Sequence, residues 1–188
     1  MSDPASTPGP RPGLVQATLG ASVAAATIGV AYGFVLAWIP HAYLLTPLAA
    51  LGFGSLVARV AEQLLTAGRI PHRGARTWLP LLAGTLGFYV AWIAWIATVH
   101  HDRAAFQLVW SPPTLVLNMR LIASFGTWEL LGWRPPWYDL YSMWFCEALV
   151  YFLTLHTCTV NMTRRFDEQR TRAAEQLQHS ATAPSRAR

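Results

Sequence analysis

Glu147 is the residue whose type and position most invite chemistry. It lies about 8 residues, roughly 12 Å along a helix, inside an apolar run that opens near Asp139, a costly depth for an isolated carboxylate. Glu147, Tyr151, Thr154, Cys158 and Asn161 recur at steps of 4, 3, 4 and 3, so a helix gathers them on one face. A polar stripe headed by an acid can line a path for protons or a solute. Alternatively, the acid is held by Arg103, Arg120, a histidine or indole N–H groups of the segment before it. No second buried acid is evident to complete a relay, so the structural role is the preferred expectation.

A second pair, Arg59 and Glu62, falls one to two turns from the end of another apolar run. At i and i+3 the two can pair and snorkel to the interface, with a gating role as the alternative. The histidines suggest haem or metal, which needs ligands facing each other at one depth. His156 points away from Glu147 on the helical wheel, while His41, His100, His101 and His72 fall at span ends or in a loop. Cys146 and Cys158 share one helix about 18 Å apart and cannot bridge within a chain. The sequence holds no glycine-rich phosphate loop, CxxC, HExxH or serine elbow. No catalytic residue, cofactor or metal site is therefore expected, and the chain is read as a non-enzyme.

The elements that position these residues follow from composition. Of 188 residues, 53% are hydrophobic and 12% charged, with a mean hydropathy of +0.30; a soluble domain carries about 25% charged residues. The deficit is concentrated in four stretches, residues 14–38, 42–65, 78–99 and 139–160, each long enough to span a bilayer. The first is too long for the apolar region of a cleaved signal peptide and ends at Trp38-Ile39-Pro40, so it is read as a retained helix. Residues 1–13 read as a disordered arm, and residues 161–188 as a polar helix followed by a loose tail.

All 14 basic residues are arginine, which we read as the codon usage of a GC-rich bacterium. Arg11, Arg69, Arg73, Arg76, Arg164, Arg165, Arg170, Arg172, Arg186 and Arg188 fall on one side of the spans, against Arg103, Arg120 and Arg134 on the other. The positive-inside rule then places both termini in the cytoplasm of a bacterial inner membrane. The same rule accounts for the net charge of +5, so nucleic acid is not an expected partner.

The connection from 100 to 138 carries Trp110, Trp128, Trp133 and Trp137 and is too apolar to be solvated. Pro112-Pro113 can open a helix there and Gly126 can close it. A helix over 114–125 is too short to span, so it lies in the interface or re-enters. Two stripes of small residues, Ser22, Ala26, Gly29, Gly33 and Ala37 on span one and Gly84, Gly87, Ala91, Ala94 and Thr98 on span three, supply close helix contacts.

GFG in span two with the arginine-rich loop after it, then WSPP, GTWEL and YSMWFCEAL, resemble a group of bacterial four-helix inner-membrane proteins without an assigned activity. The resemblance covers about residues 42–155 and implies a shared topology in which Gly126-Thr127-Trp128 and Glu147 take part. The expected fold is an all-α integral membrane bundle of four transmembrane helices plus one interfacial or re-entrant helix. The expected partners are the lipid bilayer and other membrane proteins or further copies of the chain. The function expected is a non-enzymatic membrane component or assembly partner; the alternative is a small oligomeric transporter or channel with Glu147 in its path.

Overall fold

A computed structural model describes residues 12–38, 45–68, 70–100, 111–125 and 136–182. They form five helices: α1 (Pro12–Trp38), α2 (Thr46–Ala67), α3 (Arg73–His100), α4 (Pro112–Phe125) and α5 (Trp137–Thr182). The described residues contain no strand. α1, α2, α3 and α5 are each long and apolar enough to cross a membrane, so the chain is an all-α membrane protein that contacts the bilayer. At 14 residues, about 21 Å, α4 falls short of a hydrocarbon core near 30 Å.

Local chemistry sets the helix starts. Pro47 occupies the first turn of α2, where no N–H is required. Pro112-Pro113 open α4, and the backbone carbonyl of Ser111 accepts from the N–H groups of Thr114 and Leu115 at 3.0 and 3.2 Å. Pro136 precedes α5, and Asp139 in its first turn complements the helix dipole. The starts of α2 and α3 differ from the sequence reading, α2 beginning at Thr46 rather than 42. α3 begins at Arg73 rather than 78, because Arg76 in its first turns is buried and held by neighbours rather than lying in a solvated loop. The fourth span and the polar helix after it form one continuous helix, α5, to Thr182, since residues 161–182 contain neither glycine nor proline. Arg164 and Glu168 also pair across one turn at 3.4 Å. Its 46 residues reach about 69 Å, over twice a membrane core.

α1 packs most extensively on α3, and α5 lies mainly against α2. The α1–α3 contact rests on small residues. A Cβ added at Gly29 would run into the carbonyl oxygen of Gly87, and one at Gly87 would stand 2.7 Å from the carbonyl oxygen of Ala25. In lipid, such close backbone approach supplies the dispersion contact that hydrophobicity cannot. The buried face of α1 is Ala17, Ala21, Ala25, Gly29, Tyr32 and Gly33. The expected stripe is thus right in its glycines, while Ser22 and Ala26 sit half-buried at its edge. On α3, Gly84, Gly87 and Ala91 are buried, with Ala94 and Thr98 half-buried.

Three apolar clusters fill the interior. The central one joins all four spanning helices and includes Tyr32, Phe53, Ala83, Tyr151 and Leu155. A second, at the end near α4, packs Trp92, Trp95 and Trp144 with Leu115 and Ile122. The third ties Ala17 to Leu65 and Ile70 at the opposite, arginine-rich end.

Candidate functional site

Glu147 is 2% exposed, and its neighbours explain how a carboxyl is accommodated there. The Tyr32 hydroxyl of α1 donates to Oε1 of Glu147 at 2.8 Å. Tyr32 is not among the expected partners. Arg120 lies exposed on α4, with no ion pair to Glu147, and Arg103 lies outside the described residues. The physical reason is depth: α4 packs beside the outer part of α5, whereas Glu147 faces the bundle centre where α1 passes.

Aromatic rings then close the region. Tyr32 stacks on Phe53 of α2 with centroids 4.4 Å apart, Phe53 meets Tyr151 of α5 at 4.6 Å, and Tyr151 stacks on Phe88 of α3 at 5.0 Å. Each spanning helix thus contributes one ring to a contiguous layer, an arrangement that adds to simple burial. The Tyr151 hydroxyl donates to the Gly84 carbonyl at 2.8 Å. Gly84 makes that reach possible: a Cβ there would stand 3.0 Å from the hydroxyl oxygen and clash with Leu155.

The polar stripe of α5 does not continue as one path. Thr154 is half-buried and packs at the close approach of α5 to Gly54. Cys158 lies 4.0 Å from the Ser55 hydroxyl, and Asn161 is exposed. A strict repeat of 3.5 drifts about 20° per heptad around a straight helix, which carries the stripe from the centre past α2 to the outside. Thr159 and Thr163 follow on the buried face with unpaired hydroxyls, but the wholly buried Leu155 separates them from Tyr151.

The second sequence candidate resolves differently. Glu62 pairs with Arg76, not with Arg59, which is exposed on α2. Arg76 is 1% exposed. Its Nε donates to the Ile70 carbonyl at 2.8 Å, its Nη1 to Glu62, and both Nη atoms approach the Thr66 hydroxyl at 3.3 and 3.4 Å. The guanidinium also lies over the Phe166 ring, 3.4 Å from its centroid. One side chain therefore binds the end of α2, the following turn, α3 and α5 together. Beside it, Arg73 pairs with Asp167 at 3.6 Å.

Sequence reasoning missed both Tyr32 and Arg76. Tyr32 had a usable signal, since it shares a face with Gly29 and Gly33. Arg76 had none, because a basic residue beside a span is already explained by membrane orientation. Both cysteines are free, Cys146 exposed and Cys158 half-buried. His156 is exposed on α5. Among the described residues no group of three or more His, Cys, Asp or Glu is placed to hold a metal. His41, His101, Trp110, Gly126-Thr127-Trp128 and Trp133 lie outside the described residues.

Comparison with protein-family models, with curated proteins and with solved structures finds no match to this chain. The resemblance read in the sequence therefore rests on the residues that carry it.

Proposed function

We propose that the chain is a non-enzymatic component of a bacterial inner membrane, with both termini cytoplasmic, that serves as an assembly partner for other membrane proteins. The observation that supports this reading is the closure of Glu147. The acid at the bundle centre is buried and bonded to Tyr32, itself part of a layer of rings drawn from all four spanning helices, which favours a role in holding helices together over one in a passage. The structural use of a buried polar pair is to fix which helices meet and in what register.

An oligomeric transporter with Glu147 in its path is the rival reading. Its favourable observation is the carboxyl itself, because an ionisable residue inside the membrane is by default a candidate functional group. The test is flux. The purified chain reconstituted in vesicles loaded with a pH-sensitive dye, under an imposed proton or sodium gradient, should leak no faster than empty vesicles. Flux above that background, abolished by Glu147→Gln in a protein that still folds, would establish the rival instead.

A further inference from the structure

We propose that the outer groove between α2 and α5, at the arginine-rich end of the bundle, binds the phosphate headgroup of an anionic phospholipid through Arg59 and Arg165. The placement follows from the register of the two helices. Gly54 lies against the Tyr151 carbonyl and Thr154, and Ser55 faces Cys158. One turn on, Arg59 stands level with Asn161 and Met162, and Glu62 stands level with Arg165. Arg76 fixes the same level independently, since it touches both Glu62 and Phe166. Arg59, Asn161 and Arg165 are all exposed, and the two arginines differ in depth by about one turn, roughly 5 Å.

Charge identifies the occupant. The acids near this end are engaged: Glu62 by Arg76, Asp167 by Arg73 and Glu168 by Arg164. Among the described residues neither Arg59 nor Arg165 has a carboxylate partner. A second copy of the chain would bring to this depth only the same acids, Glu62, Asp167 and Glu168, each already paired with an arginine of its own chain. Among the described residues the remaining acids lie elsewhere: Glu147 is enclosed, Asp139 stands at the far end of α5, and Glu175 lies beyond the groove. A cation that faces lipid instead snorkels to the bilayer's own anions, and a guanidinium fork suits phosphate oxygens. Toward the bundle middle, Leu48 and Leu51 on α2 and Leu153 on α5 are exposed, leaving apolar flanks for the acyl chains.

The experiment measures thermal unfolding of the full chain in neutral detergent micelles doped with phosphatidylglycerol, with phosphatidylcholine, or supplied with soluble glycerol 3-phosphate. Phosphatidylglycerol should raise the melting temperature in a dose-dependent way, as expected for a ligand of the folded state, and the other two should not. The Arg59→Gln/Arg165→Gln variant should melt like the parent without lipid and lose most of the phosphatidylglycerol shift. Arg170→Gln/Arg172→Gln, on the same helix but beyond the groove, should keep it. The proposal is overturned if the groove variant retains the full shift, if the distal variant loses as much, or if phosphatidylcholine or glycerol 3-phosphate stabilises equally.

Discussion

Replacing Arg76 tests whether one buried cation fastens the arginine-rich end of the bundle. Arg76→Met keeps most of the volume but removes every donor to Ile70, Glu62 and Thr66 and the contact with Phe166. Removing one member of a buried ion pair costs about 3–5 kcal/mol, largely because the partner is left uncompensated. The Glu62 side chain is 19% exposed and recovers some water, so the lower end applies, about 3 kcal/mol. Arg76→Lys keeps the charge but loses the planar fork and much of the cation–π contact, and should lose about 1–2 kcal/mol. Glu62→Leu strands the cation and should again lose about 3 kcal/mol. The double variant Arg76→Met/Glu62→Leu removes both charges, so its loss should fall well below the sum of the singles. Reversible unfolding of the four proteins in mixed micelles measures this. Additive losses, or an Arg76→Lys protein as stable as the parent, would refute the clamp.

Three further predictions concern packing, α4 and orientation. Gly29→Ala, whose Cβ meets a backbone carbonyl, should destabilise by about 1–3 kcal/mol as an overpacked site. Gly52→Ala, with nothing within 4 Å, should not destabilise, and equal losses at both sites would discount the α1–α3 approach. Cysteines at the exposed Val116 and Leu121 of α4 should react with membrane-permeant maleimides and resist impermeant ones, if that face meets lipid; rapid impermeant labelling would show a solvated helix instead. Reporter fusions after Arg76 and Arg165 should both register cytoplasm and a fusion near Arg103 the outside, whereas a cytoplasmic signal at Arg103 would end the four-span topology.

The sequence made the spans legible because each is a long charge-poor run, and it marked the α1–α3 seam because small residues at helical spacing serve few other purposes. Glu147 stood out by depth alone. Its partner did not: Tyr32 is 115 positions away, and periodicity within a helix does not say which face of a distant helix it meets. Arg59 and Glu62 looked like a pair from spacing, but i and i+3 proximity yields to a better-oriented donor when another helix supplies one. Arg76 does so because the turn after α2 folds α3 back beside Glu62. The long α5 was open to reading, since nothing between 161 and 182 breaks a helix, yet the change from apolar to charged residues suggested a boundary that the backbone does not make.

The clasp between α1 and α5 is tested most directly by a double-mutant cycle on Tyr32 and Glu147. Tyr32→Phe preserves the stacked ring and removes only the donor, leaving a buried carboxyl oxygen short of a partner at a cost of about 1–3 kcal/mol. Glu147→Ala should cost at least as much, because it also leaves a cavity, and Glu147→Gln should be milder because the amide keeps an acceptor. The account predicts that Tyr32→Phe/Glu147→Ala loses measurably less stability than the two single variants added together, with a coupling of about 1 kcal/mol. Strictly additive losses, or a Glu147→Ala protein that unfolds like the parent, would contradict it.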